Sequence, residues 1–225
     1  MRKVKKQSGF TLVEIAIVLV VIGLLLGGVL KGQELIESSK IKSMAKDLNG
    51  FSALITTYQD RYRSLPGDDS PTDATYNNRG WTGTFAASTT SGDSLIGSAA
   101  TTATVPFTTT GETGTTVVEN LLAIQALRSA GFLEGDGSTA TLPKNAAGGL
   151  ISFTHSVMGA DWALKNVVCF SKLSGKQAGA LDRLLDDGAH NTGSVRSDVL
   201  IDAAITASTT VYKETTQNVF LCKKL

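Results

Sequence analysis

From Phe10 to Leu30 the chain runs for 21 residues with one charged side chain, Glu14, among Phe, Leu, Val, Ile, Ala and Gly. At about 1.5 Å per residue, a helix of that length covers roughly 32 Å, enough to cross the hydrocarbon core of a bilayer. Ahead of it, Met1–Gly9 holds Arg2, Lys3, Lys5 and Lys6 and no acid. Basic residues before an apolar run place the N-terminus in the cytoplasm and the remainder outside. A secretory signal would end its apolar stretch with small residues of A-x-A type and be removed there. Here Gly27-Gly28-Val29-Leu30-Lys31-Gly32-Gln33 continues into helix-compatible sequence, so the segment reads as a retained anchor.

Glu14 sharpens that reading. An ionised carboxylate at the centre of a membrane helix costs about 2.5–3.5 kcal/mol on insertion scales. Near the cytoplasmic edge the cost is smaller, yet the charge still needs a partner, and the apolar run contains no Lys or Arg. A cut after Gly9 would give Phe10 a new α-amino group, positive below a pKa of about 8. That amine on a neighbouring copy would neutralise Glu14 and set an axial register between helices.

The segment Lys5-Lys6-Gln7-Ser8-Gly9-Phe10-Thr11-Leu12-Val13-Glu14 resembles the processing site of prepilins, the precursors of type IV pilins and type II secretion pseudopilins. The family pattern is a short basic leader ending in Gly, then Phe, then Thr-Leu-(Val/Ile)-Glu, then an apolar helix. The resemblance implies cleavage between Gly9 and Phe10 by a prepilin peptidase, N-methylation of Phe10, and pairing of Glu14 with that terminus during assembly. It implies copies of itself and other pilins or pseudopilins as partners, with an inner-membrane assembly platform. A separate motor ATPase would drive extraction, because the chain has no nucleotide-binding motif. The expected location is the bacterial inner membrane, single-pass with a cytoplasmic N-terminus. An extracellular pilus or periplasmic pseudopilus follows after assembly.

No proline interrupts the chain between Phe10 and Leu65, so a helix can continue beyond the anchor. Ile41, Met44, Leu48, Phe51, Ile55, Tyr58 and Tyr62 recur at alternating spacings of three and four, an apolar stripe on one helix face. Taken alone the stripe also suits a coiled-coil seam; the upstream motif favours the long pilin N-terminal helix. Gly23 and Gly27 form a G-x-x-x-G spacing, suited to close helix approach and also common in membrane helices. The expected organisation is a leader at 1–9, a transmembrane or filament-core helix at 10–30, and its amphipathic continuation at 31–63. A periplasmic or extracellular head follows at 64–225. The expected fold is α+β and pilin-like, the long N-terminal helix packed on a small antiparallel β-sheet.

Leu65-Pro66-Gly67-Asp68-Asp69 stops the helix with turn chemistry. Carboxylates at Asp68, Asp69 and Asp73 read as turn caps in preference to cation ligands. Residues 82–116 hold 17 Ser or Thr among 35 positions and read as an exposed insert with little core, a possible O-glycosylation surface. Helical periodicity returns from Val118 to Arg128 and stops at Gly131. Leu150–Phe153, Ala163–Phe170 and Asn218–Cys222 read as strands. Ser174 is placed to cap a helix through Leu185 that turns Ala178, Leu181, Leu184 and Leu185 inward, with Gly188 beyond its end.

Cys169 and Cys222 are the only cysteines, outside the cytoplasm by the orientation above, where disulfides persist. Such a bond would close a loop of 54 residues; two buried free thiols are the alternative. Pilins resemble this arrangement, with a C-terminal disulfide-closed loop at the exposed edge of the subunit.

No H-E-x-x-H, P-loop, G-x-S-x-G or Rossmann fingerprint is present, so the chain is expected to be no enzyme and to need no cofactor. His155 and His190 read as structural. Asp182, Asp186 and Asp187 beside Gly188 are the metal candidates, but their spacing does not match an EF-hand and helix-end solvation suits them better. The formal charge of +1 conceals a leader of +4 joined to a mildly acidic remainder of 17 basic and 20 acidic residues. Nucleic-acid binding driven by bulk positive charge is thereby excluded. The competing readings are a secretion pseudopilin and, from another class, a membrane-tethered periplasmic binding or enzymatic domain.

Overall fold

The computed structural model describes residues 9, 11–69, 79–81, 92–96, 119–155, 165–201, 204–206, 211–213 and 215–225. Helix α1 spans Leu12–Tyr62, 51 residues without a break. The chain divides into two compact units, Met1–Lys40 and Ile41–Leu225. In the first unit every large apolar side chain from Leu12 to Leu30 is exposed, and so are Leu35 and Ile36. Its helix is long and apolar enough to cross a membrane by length and composition. Lys31 and Glu34 form an exposed ion pair at 2.6 Å just beyond the apolar run. Such a pair adds only a few tenths of a kcal/mol.

The second unit begins where the apolar stripe begins. Met44, Ala45, Leu48, Phe51, Ile55 and Tyr58 are buried on one face of α1, with Ile41 and Tyr62 half-buried at its ends. The helix stops as its turn chemistry predicts. Arg63 takes a left-handed conformation (φ 59°) directly after the last helical residue, and Gly67 (φ 85°) completes the turn. Gly67 is required there: a Cβ would stand 2.5 Å from the carbonyl oxygen of Glu119 and 2.7 Å from the amide nitrogen of Ala123.

Helix α2, Glu119–Ser129, lies under that turn and buries Leu122, Ala123, Ile124, Ala126 and Leu127. Among the described residues five strands follow: β1 Ile151–His155, β2 Asn166–Leu173, β3 Val195–Ile201, β4 Ala204–Thr206 and β5 Val219–Lys224. They form one sheet in the order β1-β2-β5-β3-β4, antiparallel at every pairing. Helix α3, Gly175–Leu185, connects β2 to β3. It opens with a capping box: the Gln177 amide donates to Ser174 Oγ at 3.2 Å and the Ser174 amide donates to Gln177 Oε1 at 3.0 Å.

Alternation along β2 and β5 assigns residues to two faces. Val168, Phe170, Val219 and Leu221 join the stripe of α1 and the apolar faces of α2 and α3 in the main core. The rings of Phe51 and Phe153 meet edge-on there, 5.6 Å between centroids. Val167, Cys169, Phe220 and Cys222 form a second cluster, against which Leu142 and Leu150 pack. Because both faces are covered, these strands read as nearly continuous apolar runs.

The expected disulfide Cys169–Cys222 is present; both cysteines are buried and the pair bridges directly opposed residues of β2 and β5 in the middle of the sheet. Two expectations need correction. Leu184 does not turn inward; it is 55% exposed, because Ala178 and Leu181 already occupy the buried arc of α3. The insert 82–116 contributes to the core after all: within its described part, residues 92–96, Ile96 is fully buried. The second strand begins at Asn166, after Lys165; Ala163 and Leu164, like Asp73, lie outside the described residues. Strands β3 and β4 had no counterpart in the sequence reading.

The buried disulfide closes a loop whose chain-entropy contribution is about 4 kcal/mol. The double variant Cys169→Ala, Cys222→Ala should lose about that much unfolding free energy, measured by denaturant titration of the full chain in detergent. Thiol labelling of the parent under reductant should stay low until denaturant is added, since both sulfurs are enclosed.

Candidate functional site

Thr11 and Glu14 stand at the start of α1 in a reciprocal arrangement. The Thr11 amide and hydroxyl donate to Glu14 Oε2 at 2.8 and 2.7 Å, and the Glu14 amide donates to Thr11 Oγ1 at 3.3 Å. The Thr11 carbonyl accepts the first helical hydrogen bond, from Ile15 at 3.4 Å. Thr11 is therefore the N-cap and Glu14 the N3 partner of a capping box. The signature was present in the sequence as T-x-x-E immediately before an apolar run. Gly9 is exposed and outside any regular element, three positions before the first helical residue. Phe10, the expected new terminus, lies outside the described residues.

The other sequence candidates are all in the head. Asp182 is fully buried on α3 and accepts from the Tyr212 hydroxyl at 2.5 Å and the Gly188 amide at 3.3 Å. The Tyr212 oxygen in turn accepts from the Ser197 hydroxyl of β3 at 3.0 Å, and His190 packs edge-on against its ring. Asp186 accepts from the amides of Ser194 and Val195, the latter at 3.0 Å. Asp187 accepts from the Ala189 amide at 2.8 Å and the Thr192 hydroxyl at 2.5 Å. Carboxylate oxygens of the three aspartates lie within 4.8 Å of one another. Each carboxylate already serves protein donors, so the cluster acts as an internal staple for the loop between α3 and β3.

Burial holds the Asp182 carboxyl above its ordinary range. The Tyr212 and Gly188 hydrogen bonds oppose the shift, while Asp187 and Asp186 reinforce it. Burial and the Asp182 carboxylate push the Tyr212 phenol upward, so Tyr212 remains a donor. Asp187 is held below its ordinary value by its bonds to Thr192 and Ala189.

Asp68 and Asp69 do more than cap their own turn, which corrects the sequence reading. Asp68 accepts from the amides of Gly92 (2.5 Å), Asp93 (3.2 Å) and Ser94 (2.9 Å) and thereby ties down a segment some 25 positions away. Burial raises its pKa against these amide bonds. Asp69 accepts from the Tyr58 hydroxyl at 2.8 Å and from Arg79, whose guanidinium lies over the rings of Tyr62 and Trp81 at 4.5 and 5.1 Å. Oxygens of Asp68, Asp93 and Glu119 also lie within 4.8 Å of one another. No nucleophile paired with a base stands at either acidic cluster among the described residues. His155 is buried on β1 and serves the strand, its amide donating to the Ile96 carbonyl at 2.5 Å.

Residues 4–30 match the family model of the prokaryotic N-terminal methylation motif. The matched stretch contains Gly9, Thr11 and Glu14 and runs into the first turns of α1. Among solved structures the chain is similar to the major type IV pilin PilA1 from Clostridium difficile. The two share 12% identity over 84% of this chain and 96% of that one, with a TM-score of 0.40. No curated protein matches.

A group whose folded pKa is raised favours the folded state at low pH and loses that contribution as pH climbs through the raised value. Asp182 has that sign, from its ordinary value of 3.8 upward. Asp182→Asn should therefore flatten the decline in stability across this acid window relative to the parent. Unfolding free energies of the full chain in detergent, measured at a series of pH values, check the difference in slope.

Proposed function

We propose that this chain is a structural subunit of a type IV pilus-like filament, made as a prepilin, cut after Gly9, N-methylated at Phe10 and polymerised from the inner membrane. The observation that carries the proposal is a coincidence at one end of one helix. A methylation motif over residues 4–30 opens a helix whose large apolar side chains are exposed from Leu12 to Leu30. Before assembly the bilayer covers that surface, with the basic leader holding the N-terminus in the cytoplasm. In the filament, copies of the same helix take over from lipid. A prepilin peptidase, an assembly platform and a separate motor ATPase complete the machinery this reading requires.

Glu14 is the one acid in the apolar run. In the filament its partner is the methylated α-amino group of a neighbouring copy, which removes a lone charge from the apolar core and fixes the axial offset between subunits. A surface pilus is favoured over a secretion pseudopilus by the Ser/Thr-rich stretch 82–116, whose bulk suits an outward-facing or minor subunit.

Intact-mass analysis of the protein from a host with prepilin peptidase tests the reading directly. The expected mass lacks nine residues and carries one methyl group on Phe10; an unprocessed terminus would remove the filament proposal. Glu14→Ala should be processed normally and yet give at least about tenfold less sheared filament, as expected for loss of a charge pair in an apolar setting. Parent-level filament from that variant would discard the pairing.

A further inference from the structure

We propose that Lys42, Lys46 and Lys223 form a basic face of the head that docks on anionic phospholipid headgroups of the membrane that holds its helix. The inference rests on the membrane anchor described above, not on processing or assembly, and adds a second point of contact with lipid. Lys42 and Lys46 stand about one turn apart on α1, and both are exposed. Asn49 continues the same face, turned away from the buried Met44, Leu48 and Phe51. Lys223 comes from the far end of the chain and donates to Asn49 Oδ1 at 2.5 Å.

Strand alternation brings Lys223 there. Val219 and Leu221 of β5 turn into the main core. Two positions on, Lys223 keeps that direction, opposite Val168 and Val195. The residue is half-buried, so its stem lies along apolar surface while its ammonium emerges at the rim of the core beside α1. The sheet and the helix thus contribute charge to one place.

Two observations favour lipid as the occupant. Large apolar side chains of α1 remain exposed as far as Leu35 and Ile36, which suits the helix to hydrocarbon and its interface up to that point. Lys42 follows six residues later, about 9 Å of helix rise and within reach of the headgroup layer. The charge also runs against the trend of the chain. Beyond the leader there are 17 basic and 20 acidic residues, yet three lysines gather on this face. Asp47, beside Lys46, offsets at most one of them. Each lysine near an anionic surface raises the docked population about fivefold, an effect that fades beyond a Debye length of about 10 Å at 0.1 M salt.

The experiment reconstitutes the full chain into nanodiscs of phosphatidylcholine, alone or with one third phosphatidylglycerol. A fluorophore on Ser43→Cys, an exposed neighbour of Lys42, reports approach to the surface through quenching by spin-labelled headgroups. Anionic discs should raise the ratio of docked to free heads by roughly 25-fold, two net charges at about fivefold each. Salt at about 0.5 M should return it to the neutral-disc value. The triple variant Lys42→Gln, Lys46→Gln, Lys223→Gln should lose the difference between discs. Lys144→Gln, Lys172→Gln, Lys213→Gln removes the same charge from exposed lysines elsewhere on the head and should keep it. Equal quenching in the two discs would overturn the inference, as would a control triple that loses as much as the first. Displacement of the head by added duplex DNA would assign the face to a nucleic acid and overturn it too. A chain that enters neither disc would overturn the anchor itself, and co-purification with the disc scaffold registers that separately.

Discussion

A helix that is apolar on every side for its first five turns cannot be left in water, and everything else about this chain follows from that constraint. Nearly all the apolar surface from Leu12 to Leu30 stands uncovered in the single chain. At about 25 cal/mol per Å² its exposure would be prohibitive for a soluble monomer. The same helix changes character without a break: by Met44 only one stripe is apolar, and the head closes over it. One element therefore serves two solvents in turn, and the head needs only enough sheet to cover one helical face. Glu14 departs from this rule, and the capping box at Thr11 accommodates the departure locally.

What could be read from the letters was local or periodic. The stripe Met44, Leu48, Phe51, Ile55, Tyr58 follows helical spacing and is buried as that spacing requires. Ser174 and Gln177 form the box that S-x-x-Q anticipates. Strand β3 escaped because its inward positions include Ser197, a hydroxyl buried against Tyr212, so its alternation does not look apolar. Ile96 escaped because one buried residue sits in a stretch dominated by Ser and Thr. The roles of Asp68 and Asp69 depend on Gly92 and Arg79, partners too distant in sequence for any turn motif to announce. The Thr11–Glu14 box was fully visible as a motif; it shows that one short segment can carry a processing signal and a helix cap together.

The head uses its acids as acceptors. Asp68, Asp69, Asp182 and Asp186 each gather backbone amides or hydroxyls from other segments. In a sheet of this size such bonds tie connecting segments to elements that are already packed. They also explain why the acidic clusters resemble metal sites in composition: convergent carboxylates are what a loop with many unpaired N–H groups needs. Tyr212 extends the principle by linking α3 and β3 through a single phenol.

The strand order places the last six strand residues of the chain, Val219–Lys224, between β2 and β3 at the middle of the sheet. Without β5, β2 and β3 would present two open edges to the surroundings. Cys169 would lose its bonding partner at the same time. Closure of the sheet is therefore set by long-range pairing, which topology makes slow. One strand holds both the centre of the sheet and half of its covalent clasp, so hydrogen-bonded and covalent closure come together or not at all.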